Sequence, residues 1–386
     1  MKKQLCLYLI ISILLIAVTL SSAGLNTKDS NEEDHIVSLK LMGHAHDNSS
    51  DYVFKMPFNI TPLEDGSFFL IDNTQVLKFD NSCKFLKIVI SKGVGPKEAL
   101  YINQIFEIGN KIIVNTGIMG KIIIIDKEGN LLGEYQRSTA LKPAQKNLKN
   151  GNTAFNILGN TKDMELIIID YNSSWNEKDK KKGICREPVL LLSSQNELIK
   201  FLFEIPVKSN FIETPFGIQA VVSFNLISTH DSERIYYCNS MDYNINIYNI
   251  HENKLEKSWK RPYTHIRIPE NEKGKYNYGS TFVWGSKDKK GKYESGANEN
   301  FPDIQGLHLV GNKLWVITST VKKGKGVLID VFDKKGNYTD HFFLDLKGKV
   351  DLYKLDAITI SDSFVYIREL DEEDNYLIAK YMLNER

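Results

Sequence analysis

The chain has 386 residues and a formal net charge of +1, with 49 basic and 48 acidic residues. This length suits one large domain or two small ones, and the near-neutral, mixed charge offers no global attraction for nucleic acid, so we expect no nucleic-acid partner. Beyond the first 23 residues only Cys83, Cys185 and Cys238 remain. They exclude a disulfide-dense fold and leave open whether one intramolecular disulfide forms.

The first 23 residues have the composition of a secretory signal peptide. A basic start precedes an apolar run over residues 5–20, and Ser21, Ser22 and Ala23 follow it. This order predicts cleavage after Ala23 and export to the periplasm, the cell surface or the medium, without a stable membrane span after cleavage. A transmembrane anchor is the alternative, because the apolar run is close to the minimum length of a span.

The rest of the chain, residues 35–386, has the pattern of one all-β domain. A polar leader at residues 24–34, which we expect to be disordered, precedes alternating apolar and polar residues at 36–42, the pattern of a half-buried strand. Residues 91–136 predict a complete four-stranded antiparallel meander, because each β-rich run is closed by Gly, Asn or Asp. No helical pattern separates the β-rich runs, so the crossovers of a parallel sheet are missing.

This meander recurs in less complete form. Each copy contains a strand that ends in an acidic or amide turn, preceded by an earlier strand. The turn-bearing strands lie at residues 76–80, 122–126, 189–192, 245–249, 327–333 and 377–383. Six repeated antiparallel units predict a six-bladed β-propeller of four-stranded blades, in which radial stacking protects the sheet edges. A double-sheet sandwich is the alternative, but six similar units are too many for one.

The last unit is one strand shorter than the others. Its strands are predicted near residues 353–360, 363–368 and 376–383. The spare strand at residues 37–41 can complete this sheet and close the ring, because pairing the start of the chain with its end buries an open strand edge.

The second unit also carries a family resemblance. The turn from Gly93 to Glu98 (Gly-x-Gly-Pro-x-Glu), the apolar strand after it and the strand ending at Asp126 resemble the NHL-type propeller repeat. With its export signal and six units, the chain is similar to the six-bladed propeller proteins common in Bacteroidetes. The resemblance implies that fold over residues 36–386, but no particular reaction. The family pattern often has glycine where this chain has Lys97, and many relatives carry a lipobox that is absent here.

Several motifs with a chemical appearance have a structural explanation. The turn at residues 93–98 lacks the Lys-Ser/Thr ending of a phosphate loop, and no helix follows it, so we expect a turn between blades. Residues 126–130 and 333–337 resemble calcium loops, but lysines occupy positions where oxygen ligands are needed. We expect hairpin turns at both, and a solvated acidic hairpin tip at residues 371–374.

Metal binding is conceivable at two places. His44 and His46 have the spacing of ligands on one face of an extended chain, although a polar loop is the simpler interpretation. Some six-bladed propellers hold a divalent metal in the central channel, with ligands from separate blades, and act as lactonases or lyases. Asn115, Asp170 and Asn239 are the conceivable ligands here, and polar residues that simply satisfy the channel explain them as well. We expect no cofactor, with such a channel metal as the exception.

The segment at residues 261–302, between the fourth and fifth units, is the strongest candidate for a binding site. It is far longer than an ordinary connection and rich in aromatic residues, in which disordered segments are poor. Aromatic rings near polar groups suit sugar faces and peptide side chains. The candidate ligand-binding residues are Tyr276, Tyr278, Trp284, His265 and Arg267. An inserted hairpin whose rings pack on its own blade is the commoner explanation of such a segment.

No catalytic motif is evident, and the Gly-x-Ser-x-Gly elbow of serine hydrolases is absent. The sequence therefore predicts an exported, non-catalytic propeller that binds a glycan, a peptide or a partner protein on one face of the ring. The alternative is a metal-dependent hydrolase or lyase that uses the central channel, which rests on fold analogy alone.

Overall fold

The computed structural model describes residues 35–45, 52–116, 121–136, 155–161, 163, 165–170, 177–192, 198–214, 217–222, 226–272, 299–346 and 358–383. Strands dominate these ranges, which contain one short α-helix, α1 (Glu177–Lys181), and one 3-10 turn at Glu270–Glu272. The predicted all-β class is confirmed. The predicted signal peptide and leader lie outside the described residues. Within the described ranges, no helix is long and apolar enough to cross a bilayer.

The strands form four separate sheets and one larger sheet of eight strands. The chain enters the fold through β1 (Ile36–Ala45). The first separate sheet contains β2 (Pro57–Pro62), β3 (Phe68–Asp72), β4 (Gln75–Phe79), β5 (Phe85–Lys92) and β6 (Glu98–Ala99). The second contains β7 (Gln104–Ile108), β8 (Lys111–Asn115), β9 (Lys121–Asp126) and β10 (Leu131–Gln136). The third contains β11 (Phe155–Asn160), β12 (Leu166–Asp170), β13 (Ile184–Leu192), β14 (Leu198–Thr214) and β15 (Gly217–Val222). The fourth contains β16 (Leu226–His230), β17 (Arg234–Asn239), β18 (Asn244–Asn249) and β19 (Lys254–Lys260).

The eight-stranded sheet consists of two groups of strands joined by β1. One group contains β20 (Ile304–Val310), β21 (Lys313–Lys322), β22 (Gly326–Asp333) and β23 (Tyr338–Asp345), and the other contains β24 (Ile358–Ile360), β25 (Phe364–Leu370) and β26 (Tyr376–Leu383). Residues 36–38 of β1 pair in parallel with β23, and residues 39–45 pair antiparallel with β26. The predicted pairing of the N-terminal strand with the last unit is therefore confirmed. Because β1 also pairs with β23, it joins two groups that were predicted to be separate sheets.

The sheets have a propeller-like arrangement. The first strand of each meander contacts the next in the order β2, β7, β11, β16, β20 and β24, and β24 contacts β2. Apolar clusters fill the spaces between neighbouring sheets; one of them unites Phe69 and Ile71 of the first sheet with Ile105 and Ile123 of the second. Burial of each such side chain contributes about 1.5–3 kcal/mol. All residues of β3 are buried because sheet faces on both sides are covered, so its first four residues are consecutive apolar residues rather than alternating with polar ones.

The glycine-rich turn of the second unit is structural, as predicted. The N–H of Gly95 donates to Oε2 of Glu98 at 2.8 Å, and Nζ of Lys121 donates to the carbonyl of Gly95 at 2.7 Å. Lys97 has a φ of 55°, in the left-handed region that favours glycine. This backbone conformation explains why glycine suits the position that Lys97 occupies.

The acidic turns are also structural. In the turns that begin at Asp126, Asp333 and Asp371, the carboxylate accepts hydrogen bonds from the backbone N–H and the side-chain amide of the asparagine four residues later. These bonds outweigh the effect of burial and lower the pKa of Asp126 and Asp333. The carboxylate oxygens are therefore engaged by the hairpins themselves, and the predicted hairpin turns are confirmed.

The cysteines make a limited contribution to the fold. Cys83 and Cys238 are buried free thiols, so neither takes part in a disulfide. Burial raises the pKa of the Cys83 thiol to about 11. The side chain of Cys185 lies outside the described residues.

Candidate functional site

The two ends of the predicted insertion pack together as a two-stranded neck, formed by residues 261–268 and 299–302. The N–H of Ile268 donates to the carbonyl of Glu299, and the N–H of Phe301 donates to the carbonyl of Ile266, both at 2.8 Å. The side chains of Ile268 and Phe301 are buried. The neck is therefore an integral part of the folded domain, even though it belongs to a segment that the repeat pattern does not require.

A buried ion pair holds the first residue of the neck. Asp330, in the middle of β22, is fully buried, and its carboxylate pairs with the guanidinium of Arg261. The hydroxyl of Tyr243 donates to the same carboxylate at 2.7 Å, and the guanidinium lies 4.9 Å from the ring centroid of Tyr338. Burial disfavours the charge of Arg261, but Asp330 outweighs this effect and raises the pKa of the guanidinium. A buried carboxylate is tolerated only when it is paired, so Asp330 fixes where the neck leaves the fourth sheet.

A second carboxylate orients His265. Nδ1 of His265 lies 2.7 Å from Oδ1 of Asp303, the residue directly before β20, and the N–H of Tyr243 donates to the other oxygen at 3.2 Å. Only 2% of the Asp303 side chain is exposed, compared with 56% of His265. Burial raises the pKa of Asp303, and the hydrogen bond from His265 opposes this rise. Because a carboxylate only accepts, Nδ1 carries a proton, and Nε2 is the ring nitrogen that no described residue binds.

These five residues, Tyr243, Arg261, His265, Asp303 and Asp330, are called the junction cluster below. Further polar contacts surround them where the fourth sheet meets β20–β22. The hydroxyl of Tyr263 lies 2.9 Å from that of Thr320, and Gln305 donates to Ser319, which donates to the carbonyl of Pro302. The hydroxyl of Ser240 is buried and has no hydrogen-bond partner in the described part of the chain. The surroundings of the cluster are therefore polar and mostly satisfied.

The chemical capacity of the junction cluster lies in His265. An exposed imidazole held by a buried carboxylate can donate or accept one hydrogen bond at Nε2, or exchange a proton there. The nearby hydroxyl of Ser319 donates to a backbone carbonyl and is not positioned as a nucleophile activated by His265. Over the described ranges, no group of three or more His, Cys, Asp or Glu side chains is placed to hold a metal ion.

The predicted binding residues have different positions. His265 belongs to the junction cluster. Arg267 forms an antiparallel bridge with Asn300 on the neck, and its exposed guanidinium pairs with Glu270 at 3.2 Å, so it does not join the cluster. The remaining candidates, Tyr276, Tyr278 and Trp284, lie outside the described residues.

The prediction that a loop begins at His44 is wrong, because His44 and Ala45 belong to β1. His44 lies in β1 opposite Ala379 of β26, because β1 continues to Ala45, whose side chain is 1% exposed. Pairing with β26 gives the backbone groups of this stretch hydrogen-bond partners, which a loop at this point would have to find elsewhere. His46 lies outside the described residues, so the structure does not test the proposed pair.

The candidate channel ligands end the second strands of three sheets. Asn115 is buried at the end of β8. Asn239 ends β17, and its Oδ1 accepts a hydrogen bond from the N–H of Met241 at 3.1 Å, which is a local turn contact. Asp170 ends β12, and its side chain lies outside the described residues. The contact of Asn239 favours the structural interpretation of that residue.

Four residues of the junction cluster were not predicted as site residues from the sequence: Tyr243, Arg261, Asp303 and Asp330. Asp330 has a recognisable signal, because a single acid between apolar residues in Gly326–Asp333 indicates a buried ion pair. Asp303 has none, because its partner His265 lies 38 positions away in the sequence.

No protein-family model and no curated protein matches the sequence. The chain is similar to the crystal structure of a candidate exported protein from Bacteroides fragilis, with 13% identity over 92% of this chain and 97% of that chain, and a TM-score of 0.52. It also matches streptogramin B lyase, with 11% identity over 88% and 97% of the two chains and a TM-score of 0.42. A third match is the calcium-binding protein regucalcin from Agrobacterium tumefaciens, with 10% identity over 90% and 97% and a TM-score of 0.40. The first likeness supports the fold alone, and the other two scores are too low to support any argument.

Proposed function

We propose that this chain is an exported, six-bladed, NHL-like β-propeller that binds a ligand at the junction cluster. Support for six blades comes from the closed series of contacts among six first strands. The eight-stranded sheet then represents two blades, which β1 connects through its two paired edges. Further support is the Gly-x-Gly-Pro-x-Glu turn, which follows β5 of the first sheet and contacts Lys121 and Glu134 of the second sheet.

Export is supported by the signal-peptide composition of the first 23 residues. We expect the mature chain to begin at Gly24. Mass spectrometry of protein recovered from the exporting cell tests this, and a mass that retains residues 1–23 or an acyl chain contradicts it.

The observation that carries the binding proposal is the His265–Asp303 pair. The pair places one exposed, oriented imidazole on a neck that is fixed by backbone hydrogen bonds and by the Arg261–Asp330 ion pair. A polar group that is already oriented loses little conformational entropy when a ligand binds. Residues 273–298, which lie between the two halves of the neck in the sequence, are rich in aromatic residues. A glycan, a peptide or a partner protein remains the expected class of ligand.

The binding experiment compares wild type with His265→Ala on immobilised panels of glycans and peptides and by calorimetry. We expect the wild type to bind at least one member, and His265→Ala to bind it at least tenfold more weakly. His251→Ala is the matched control, because His251 is also exposed but lies at the opposite end of the β18–β19 hairpin. Equal affinity of wild type and His265→Ala contradicts the assignment of the site.

No contact among the described residues specifically favours the metal-dependent hydrolase or lyase, so that alternative remains a sequence-based hypothesis.

A further inference from the structure

The charges of the neck and its surroundings restrict the ligand. Each basic side chain along residues 260–267 already has a carboxylate partner. The pairs are Lys260–Asp242 at 3.1 Å, Arg261–Asp330, His265–Asp303 at 2.7 Å and Arg267–Glu270 at 3.2 Å. An anionic ligand such as a phosphate, a sulfate or a uronic acid would have to compete with one of these carboxylates for its cation. The described part of the neck is therefore poorly suited to anions.

The exposed side chains of the neck are also poorly suited to an apolar anchor. Its two large buried groups, Ile268 and Phe301, face the domain interior. Apart from Pro262, the exposed side chains of the described neck are polar: Thr264, His265, Arg267 and Glu299. Peptide and protein ligands draw most of their affinity from apolar or aromatic anchors in dry pockets. The described neck offers no such pocket wall.

From these observations we infer that the ligand at the junction cluster is a neutral, hydroxyl-rich glycan, with a sugar hydroxyl bonded to Nε2 of His265. This inference rests on the proposed function, because it assumes that the junction cluster binds a ligand. A hydroxyl both donates and accepts, so it matches Nε2 whether the imidazole is neutral or protonated. Asp303 holds the ring through Nδ1 and therefore acts as a positioning residue for this hydrogen bond.

The test uses the full-length mature protein with three sets of probes: neutral oligosaccharides of glucose, xylose and N-acetylglucosamine, acidic oligomers from polygalacturonate and heparin, and a pooled peptide library. Affinity is measured at about 50 mM and about 500 mM NaCl, because attraction of an anion weakens with salt whereas binding of a neutral sugar does not. We expect a neutral oligosaccharide to bind with less than a twofold change in affinity between the two salt concentrations.

His265→Ala should weaken binding of that oligosaccharide at least tenfold, and His265→Gln should retain part of it because the amide reproduces one ring nitrogen. Asp303→Asn should weaken binding as well, with circular dichroism as the check that it folds. A salt-sensitive preference for acidic oligomers, or binding of peptides alone, overturns the glycan inference and leaves the proposed binding site intact. Failure of wild type to bind any of the three sets rejects the proposed function itself.

Discussion

Two histidines on the first strands of the sheets make the fold sensitive to acid. The ring of His230 lies against Gly159 of β11, where a Cβ would be 2.4 Å from the imidazole Cγ, and its Nε2 is 2.9 Å from Oδ1 of Asn160. His308 on β20 bonds to the backbone of Ile360 on β24. Burial lowers the pKa of both histidines from 6.5 to about 4. Both rings are therefore neutral in the folded protein at ordinary pH.

The sign and size of the effect follow from linkage between protonation and folding. Above pH 6.5 neither state binds these protons, so the stability is fully present. As the pH falls from 6.5 towards 4, the unfolded chain binds protons that the folded protein does not, and the free energy of unfolding decreases. At about pH 5 the loss is about 2 kcal/mol for each histidine. The hairpin carboxylates with lowered pKa, such as Asp126, contribute mainly below about pH 4.

Urea unfolding at about pH 7.5 and about pH 5 tests this prediction. In His308→Gln, the difference in unfolding free energy between the two pH values should be about 2 kcal/mol smaller than in wild type. His230→Gln should give a change of similar size, because its pKa is lowered to the same value of about 4. Its amide can still donate to Asn160. His251→Gln, at an exposed position, should leave the difference unchanged. If His308→Gln and His230→Gln both keep the full wild-type difference, the reasoning is wrong.

Three further predictions concern stability. Arg261→Met should lower the unfolding free energy by about 3 kcal/mol, because it leaves the buried Asp330 carboxylate without its cation. The double variant Arg261→Met/Asp330→Leu should recover most of this loss. Equal losses in the single and double variants contradict the prediction. Lys380→Met should lower the unfolding free energy, measured with urea, by about 3 kcal/mol. The ammonium group of the fully buried Lys380 donates to the carbonyls of Gly66 at 2.7 Å and Asn81 at 3.0 Å, and both carbonyls would lose this donor. A loss below about 1 kcal/mol would be too small for two buried carbonyls left without a donor. Deleting residues 24–42 should lower the melting temperature, because it removes most of β1 and opens the edges of β23 and β26; unchanged thermal unfolding argues against closure by β1.

The strands were predictable where turn residues mark their ends. In the second sheet, Gly109 and Asn110 separate β7 from β8, and Gly129 and Asn130 separate β9 from β10. The apolar runs and the turn residues of the sequence therefore agree with the observed strand boundaries. The third sheet was predicted less well. β14 covers Leu198–Thr214 without a glycine and pairs with β13 over its first part and with β15 over its last. Such a change of partner depends on tertiary contacts that local periodicity does not contain.

Only the part of the site that belongs to the insertion was predictable from the sequence. Composition identified the insertion and, within it, His265 as a polar group among aromatic residues. It gave equal weight to Arg267, which the local pairing with Glu270 removes from the cluster. The decisive partner, Asp303, could not be found, because only the fold brings it next to His265. An acidic residue directly before a strand has no distinctive sequence pattern, and its role depends on which residue of another segment lies next to it in the folded protein.

The way the neck is anchored bears on which explanation of the insertion is better. A hairpin that merely packs its rings on its own blade requires apolar contacts, which are the least costly means of holding a segment in place. Here a buried ion pair fixes Arg261 and a buried carboxylate fixes His265, although buried charges seldom add stability compared with apolar residues of similar size. Their benefit is geometric, because a paired charge defines the position of a side chain more closely than an apolar contact does. Arg261→Met/Asp330→Leu should therefore keep most of the stability and still bind ligand more weakly, and that separation between folding and binding distinguishes a neck built for recognition from one built for packing.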